Sequence, residues 1–346
     1  MITSTTNLTK HCLSNYRIGL GPMSREIVDI LTLNTDYPLM LIASRNQVDY
    51  DNGYVCQTHD LANSIDKQTN LLLCRDHCGP YFADSDKNLS ISEAINECKK
   101  TIKADIQSDF DLIHIDVSRI QSKQLDYGQE LIEYTLDLEP NIMLEFGSED
   151  NNGIDVESSI GRIEPQLEFL QKYHDNVAFF VTQTGSLTKQ HQMGQFDVDR
   201  NKLVADLIHQ AGFMFKEHNA DYFTHNDLQH RVMAGIDSLN IAPQLGVMQT
   251  TLLQEFAPRE LWSNFSNLVY GSNYWQRWTD NHKINQDSAT MLGGHYCYSS
   301  REYSDIINNI DYDKFKNHLA DKMQELLKHY KFFVNHYDVY QIPESV

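Results

Sequence analysis

The chain alternates short apolar runs with longer stretches in which apolar residues recur at helical spacing. The apolar runs predict eight strands, at residues 17–22, 38–43, 71–73, 112–117, 141–147, 177–183, 213–217 and 236–242. Between them, amphipathic stretches such as residues 91–102 and 200–211 predict helices. Nearly continuous apolar strands that alternate with helices are typical of a parallel sheet covered by helices. The count of eight favours a closed (β/α)8 TIM barrel of the α/β class.

The pattern changes after residue 258. Aromatic-rich segments follow, and an amphipathic helix is predicted over residues 312–333. We therefore expect two parts, a barrel domain over residues 1–258 and a helical C-terminal extension over residues 259–346 that packs on the barrel. The aromatic side chains of the extension are expected to serve packing.

Composition narrows the class of protein. The 346 residues are 41% hydrophobic and 22% charged, as in an ordinary globular protein. There are 28 Lys and Arg against 48 Asp and Glu, a net charge of -20, which argues against nucleic acid or an anionic membrane as the main partner. The N-terminus has no apolar signal core and no apolar run approaches spanning length, so a cytoplasmic location is expected. The six cysteines form no CxxC pair, and no glycine-rich nucleotide loop follows a strand.

Polar side chains follow the predicted strands at their C-terminal ends, which in a barrel converge on one mouth. In chain order they are Asn46, Gln47, Asp76, His77, Asp116, Ser118, Glu145, Glu149, Gln183, His191, His218, Asp221 and Asn240. Asp76 and His77 stand out, because they lie between the buried run of strand three and a Gly79-Pro80 breaker. Imidazoles and carboxylates from several strands are suitable ligands for Zn²⁺ or a similar divalent ion.

Short motifs at these strand ends, and one in the C-terminal extension, resemble one enzyme family. They are IASRNQVDYDNGYV at 42–55, CRDHCGP at 74–80, LIHIDVS at 112–118, GSE at 147–149, QTG at 183–185, EHNADYFT at 217–224 and NYWQRW at 273–278. In order and position they resemble the class II, metal-dependent aldolases. The greatest similarity is to the branch of the Z-type subunit of tagatose-bisphosphate aldolase, whose relatives include ketose-phosphate C4 epimerases.

The resemblance implies roles at matched positions. His77 and His218 match metal ligands, Asp76 matches the acid that moves the proton at C4, and Asn240 matches a substrate-binding asparagine. We count Glu149 with Asp76 as a catalytic carboxylate. The resemblance further implies a divalent cofactor, with Zn²⁺ expected first and Mn²⁺ or Co²⁺ as alternatives.

Two departures from the family pattern affect the site. Thr184 stands where the aldolases have a second metal histidine, so the third ligand is expected to be His191, Glu149 or Gln183, or the metal is bound weakly or not at all. Of these we assign His191. Residues 219–222 replace a glycine-rich phosphate loop, and the added carboxylate of Asp221 disfavours a phosphate there.

The expected function is an aldolase-like reaction that makes or breaks the C3–C4 bond of a ketose or ketose phosphate. The alternatives are a C4 epimerase and a non-catalytic Z-type subunit that stabilises an aldolase partner. The substrate contacts are expected from Asn46, Gln47, Asp116, Ser118, Gln183, Asp221 and Asn240. The expected partner is a small sugar or sugar phosphate, not nucleic acid or membrane; a homo-oligomer or an aldolase partner subunit is left open.

Overall fold

Eight parallel strands close into a barrel in the computed structural model, which describes residues 8–33, 37–66, 69–120, 122–147, 160–280 and 283–336. The strands are Ile18–Leu20, Leu39–Ser44, Leu71–Cys78, Leu112–Asp116, Met143–Gly147, Val177–Val181, Met214–Glu217 and Ser238–Ile241. We number them one to eight. Each strand pairs with its neighbours in the chain, and strand one closes the barrel on strand eight through the register Gly19 to Asn240. The predicted (β/α)8 fold is confirmed.

Helices cover the outside of the barrel and begin where the sequence supplies caps. The Ser24 hydroxyl accepts from the Ile27 amide, and Ser90 forms a capping box with Glu93. Up to the last barrel strand the helices are Lys10–Leu13, Arg25–Thr32, Thr58–Ser64, Ile91–Gln107, Gln124–Leu138, Ile160–Leu170, Val198–Gln210 and His225–Ala234. They are followed by Pro243–Phe256, Arg259–Ser272, Gln286–Gly293, Arg301–Ile307 and Tyr312–His336. None of the described helices is long and apolar enough to cross a membrane.

The barrel interior is apolar near the starts of the strands and polar near their ends. The apolar part includes Met40, Leu72, Leu112, Met143, Phe179 and Met214, and Leu13 of the first helix packs against it. Two residues further along, the inward positions of strands four, five and seven hold His114, Glu145 and Lys216. This packed base gives the polar groups above it fixed positions at the C-terminal mouth.

Two short strand pairs lie in the loops at this mouth. Val48–Asp49 pairs with Cys56–Gln57 after strand two, and Ser186–Thr188 forms a hairpin with Gln192–Gly194 after strand six. Neither pair belongs to the barrel sheet.

The C-terminal helices share the hydrophobic core that surrounds the barrel. Phe265 and Phe315 are fully buried in the same cluster as the barrel helices. The hydroxyl of Tyr330, in helix Tyr312–His336, donates to the Ala220 carbonyl in the loop after strand seven. The extension therefore touches a segment of the mouth. The division at residue 258 stays a prediction, and residues 337–346 lie outside the described part.

Candidate active site

Four side chains at the mouth converge closely enough to hold one metal ion. Asp76, His77, His114 and His218 each offer a ligand atom, and these atoms all lie within 4.8 Å of one another. His218 Nδ1 lies 3.2 Å from His77 Nε2, and His114 Nδ1 lies 3.4 Å from Asp76 Oδ1. Three imidazoles and a carboxylate are a donor set that suits a divalent transition metal.

An irregular end of strand three directs both Asp76 and His77 into the mouth. In a regular strand, adjacent side chains point to opposite faces. Here the register against strand four shifts between Arg75 and Cys78, and His77 has a left-handed φ of 47°. Such a backbone conformation costs on the order of 1 kcal/mol or more and is typical of functional sites. Because of it, both residues line one cleft.

Gly79 fixes this turn against strand four. A Cβ atom at Gly79 would lie 1.5 Å from the Asp116 carbonyl oxygen. Only glycine, which has no Cβ atom, allows that approach. Close packing against strand four therefore requires the glycine that the sequence analysis treated as a strand breaker.

The third imidazole comes from His114 in strand four, which the sequence analysis did not select. His114 is 1% exposed, and its Nδ1 accepts from the His77 amide at 3.3 Å. Its Nε2 is buried with no hydrogen-bond partner in the described part of the chain. Because His114 lies inside an apolar run, the sequence alone does not mark it as a functional residue. The alternation of side chains along a strand could have identified it, since His114 and Asp116 are two residues apart and share the inward face of strand four.

Thr184 takes no part in the cluster. Its hydroxyl donates to Glu217 Oε1 at 2.7 Å, in a buried network with Ser186 and Arg231 on the outer side of strand seven. Thr184 therefore supplies no metal ligand, as its residue type led us to expect. His114 in strand four supplies an imidazole instead.

Carboxylates behind the cluster orient the imidazoles. Asp116 Oδ2 lies 2.6 Å from His77 Nδ1, and Glu145 Oε1 lies 3.4 Å from His218 Nε2. Lys216 Nζ donates to Glu145 Oε2 at 2.6 Å. Such acceptors fix which imidazole nitrogen faces the ion.

The charges of the cluster fit a cation. Burial raises the pKa of Asp76, but His77 and His218 lower it more, so its pKa lies well below the usual range. Burial lowers the pKa of His77, but Asp76 and Asp116 raise it more, to about 9. Burial raises the pKa of Glu145, but Lys216 and His218 bring it down to about 2. The ionised carboxylates of Asp76, Asp116 and Glu145 still outnumber the two cations, Lys216 and protonated His77. The net negative charge suits a divalent ion, which would also replace the proton on His77.

A cleft of about 530 Å³ opens over the cluster. Ten of the sequence-predicted site residues line it: Asn46, Gln47, Asp76, His77, Asp116, Ser118, Gln183, His218, Asp221 and Asn240. The Asn240 amide is buried and neither of its polar atoms has a hydrogen-bond partner among the described residues, so it can bind substrate. Asn46 and Gln47 instead hold loops, since Asn46 bonds to Phe82 and Asp84, and Gln47 to Ser44.

Two predicted residues are not brought together with the others. His191 is exposed at the turn of the hairpin after strand six. It does not belong to the metal-ligand group, and His114 takes the place we assigned to it. Glu149 lies outside the described residues.

Asp221 is held at the opposite side of the mouth from strand three. It is 1% exposed, and its Oδ1 accepts from the amides of Ala242 and Gln244 at 3.0 and 2.8 Å. Burial raises the pKa of Asp221 to about 7, although these amides and Thr188 act against the increase.

Comparison with known proteins shows the fold. No protein-family model matches the chain, and no curated protein matches it. A probable tagatose 6 phosphate kinase from Sinorhizobium meliloti 1021 is similar in structure, with a TM-score of 0.70 and 16% identity over 92% of this chain and 100% of the other. A fructose-bisphosphate aldolase from Campylobacter jejuni is similar with a TM-score of 0.53 and 12% identity, over 93% of this chain and 92% of the other. At these identities the likeness shows a shared fold over nearly the whole chain.

Proposed function

We propose that this protein is a metal-dependent enzyme of the class II aldolase type that makes or breaks the C3–C4 bond of a ketose or ketose phosphate. The observation that carries the proposal is the convergence of three imidazoles and a carboxylate in the barrel mouth, where His77, His218 and Asp76 line a polar cleft. The motif resemblance supports it, and so does the fold shared with a fructose-bisphosphate aldolase. The proposal places the protein in cytoplasmic sugar metabolism.

His77, His114 and His218 would hold the ion, and His114 Nδ1 would give up the hydrogen bond from the His77 amide to do so. Three imidazoles favour Zn²⁺, and Mn²⁺ or Co²⁺ are the alternatives. A bound divalent ion supplies Lewis acidity toward the carbonyl and neighbouring hydroxyl of a ketose.

Asp76 serves as the base in this proposal. Its low pKa keeps it ionised, and it lines the cleft beside the imidazoles. Asp76 takes the proton of the C4 hydroxyl and the C3–C4 bond breaks, so that C4 becomes an aldehyde and the electron pair of that bond forms an enediolate. Protonation of the enediolate at C3 by water then gives the smaller ketose. Asn240 donates to a substrate oxygen, because its amide is free to do so. Asp116 and Glu145 keep the imidazoles oriented.

The test is turnover on a defined panel. The purified protein, supplied in turn with Zn²⁺, Mn²⁺ and Co²⁺, is incubated with free and phosphorylated ketoses, and products are followed by ¹³C NMR. We expect cleavage to an aldehyde and a smaller ketose, and a loss of about 10²-fold or more in kcat for Asp76→Asn with metal retained. Inversion at C4 without net cleavage would identify the epimerase instead.

Absence of turnover with every metal, together with no metal in the purified protein, would contradict both enzymatic forms. The alternative that the protein is a non-catalytic subunit of an aldolase would then be favoured. Under that alternative, Asp76→Asn and His77→Ala should keep full function in an assay with the aldolase partner.

A further inference from the structure

One position in the cleft is suited to bind an anion, but the carboxylate of Asp221 already occupies it. The amides of Ala242 and Gln244 lie at the start of helix Pro243–Phe256, where N–H groups and the helix dipole favour negative charge. Both donate to Asp221 Oδ1, and the Thr188 hydroxyl lies 3.3 Å from Oδ2. A substrate phosphate on this side would meet a carboxylate in place of free N–H groups.

Positive charge collects on the other side of the mouth, around the segment that follows strand three. Lys87, Arg119 and Arg277 line the cleft there, and we call them the basic rim. Strands three and seven are four places apart in the closed eight-strand order. Lys87, which follows strand three, and Arg119, which contacts Tyr81 and Phe82 there, therefore lie across the mouth from Asp221. Because the chain has a net charge of -20, three basic residues on one side of a cleft make this region more positive than the average surface.

Arg119 is the least compensated member of the basic rim. It is exposed, its Nη1 donates to the Tyr81 carbonyl at 2.6 Å, and its guanidinium carbon lies 4.2 Å from the Phe82 ring centroid. No carboxylate lies within ion-pair distance of it among the described residues. A neutral acceptor and an aromatic face hold the guanidinium in place without neutralising it.

The rest of the basic rim also carries excess positive charge. Arg277 and Lys87 both pair with the single carboxylate of Asp84. Lys189, a fourth basic residue of the cleft, lies 3.3 Å from the Arg277 carbonyl and pairs with exposed Asp280. An arriving anion would therefore be attracted to this side.

Phe82 connects the basic rim to the metal cluster. Its ring stacks on the His77 imidazole with 4.8 Å between centroids and 9° between planes, and Arg119 lies over the same ring. The guanidinium is thus separated from the imidazole by one aromatic ring. His77 and Arg119 both line the cleft, so one ligand in it can contact the two.

We propose that the basic rim is a phosphate subsite, and that the substrate is a ketose monophosphate whose phosphate lies at the end remote from Asp221. This rests on the proposed function. It assigns a direction to the substrate, with the unphosphorylated end toward Asp221 and Asn240 and the phosphate toward Arg119.

The experiment measures binding, so it does not depend on turnover. Wild-type protein, Arg119→Gln and Arg301→Gln are titrated by calorimetry with inorganic phosphate, fructose, fructose 1-phosphate and fructose 6-phosphate. Arg301 is the matched control, because its side chain is 89% exposed and does not line the cleft. Circular dichroism confirms that each variant is folded.

We expect fructose 6-phosphate to bind more tightly than fructose or fructose 1-phosphate. Arg119→Gln should weaken binding of fructose 6-phosphate and inorganic phosphate by about tenfold or more, as for loss of a charged hydrogen bond. Fructose binding should not change, and Arg301→Gln should match wild type throughout.

Three results would overturn the subsite: wild-type protein that binds no inorganic phosphate, an unaltered affinity in Arg119→Gln, or tighter binding of fructose 1-phosphate than of fructose 6-phosphate. Failure of the proposed function is distinguishable. If no sugar binds but inorganic phosphate does, and Arg119→Gln loses it, the subsite stands and the ketose reaction falls.

Discussion

His114 is the residue on which the ligand set of the metal cluster depends. Asp76 and His77 lie near the end of strand three and His218 directly follows strand seven, but His114 lies in the middle of strand four and reaches the cluster because its side chain faces the barrel interior. Its Nδ1 is within 3.4 Å of Asp76 Oδ1 and 3.9 Å of Glu145 Oε1. The third ligand that we propose therefore comes from a deeper level of the barrel than the loops.

Replacement of His114 should remove the metal without affecting the outer loops. In His114→Asn we expect affinity for Zn²⁺ to fall by about 10²-fold or more, since even groups that only orient ligands contribute 10- to 100-fold. His191→Asn is the matched control, because His191 is exposed outside the cluster. Competition with a chelator, followed by elemental analysis, measures the affinity. The assignment fails if His191→Asn loses the metal and His114→Asn keeps it.

Part of this site could be predicted from residue type and position alone. Asp76, His77, His218 and Asn240 stand next to breakers or at the ends of apolar runs, where polar side chains are easily recognised. His114 could not be recognised in that way, because an imidazole between Ile113 and Ile115 looks like part of a buried strand. Its inward direction depends on the register of strand four in the closed barrel, which pairing sets.

At the level of elements, the end of strand three determines where the cluster forms. A register shift and a left-handed residue direct His77 inward, and Gly79 then passes directly over the Asp116 carbonyl. The strand end and strand four are in contact through backbone atoms, which cannot move aside as a flexible side chain can.

A methyl group at Gly79 should therefore damage the fold as well as the site. We expect Gly79→Ala to lower the free energy of unfolding by more than about 3 kcal/mol, because its Cβ would lie 1.5 Å from a backbone oxygen. Gly271→Ala is the control. Nothing lies within 4 Å of its Cβ and it is in helix Arg259–Ser272, so it should be neutral or stabilising by about 0.5–1 kcal/mol. Urea unfolding compares the two, and equal stability of both variants would refute the packing argument.

The eight barrel strands were predictable because apolar runs and helical spacing extend over enough residues to give a clear period. The two short strand pairs were not, since elements of two or three residues in loops have no periodic signal. That difference explains why the exposed position of His191 was not foreseen. The hairpin that carries His191 is absent from the sequence prediction, which treated the residues after strand six as a loop.

For the molecule as a whole, two buried carboxyl groups link stability to pH. Burial raises the pKa of Asp105 to about 6, although Arg75 opposes the increase, and burial raises the pKa of Asp221 to about 7. Both values exceed the value of about 3.9 for Asp in an unfolded chain. At these two groups the folded state therefore binds more protons than the unfolded state, from about pH 3.9 up to the raised pKa values. The stability that results is fully present below about pH 3.9 and is lost as the pH rises through 6 and 7. The net charge of -20 also lowers the stability of the folded state at higher pH, because the negative charges repel one another.

We therefore expect the free energy of unfolding to decrease from about pH 6.5 to about pH 8, by up to about 1.4 kcal/mol per pH unit for Asp221. At lower pH the buried imidazole of His295, whose pKa burial lowers to about 3, acts in the opposite direction. Asp221→Asn cannot ionise, but its side-chain oxygen can still accept from Ala242 and Gln244, so its decrease should be shallower. Asp175→Asn removes the same charge from a fully exposed position and should follow the wild-type curve. Urea unfolding at several pH values gives the three curves. Parallel curves for wild type and Asp221→Asn would show that Asp221 is already ionised in the folded protein at about pH 6.5, so that the bonds from the start of helix Pro243–Phe256 outweigh its burial.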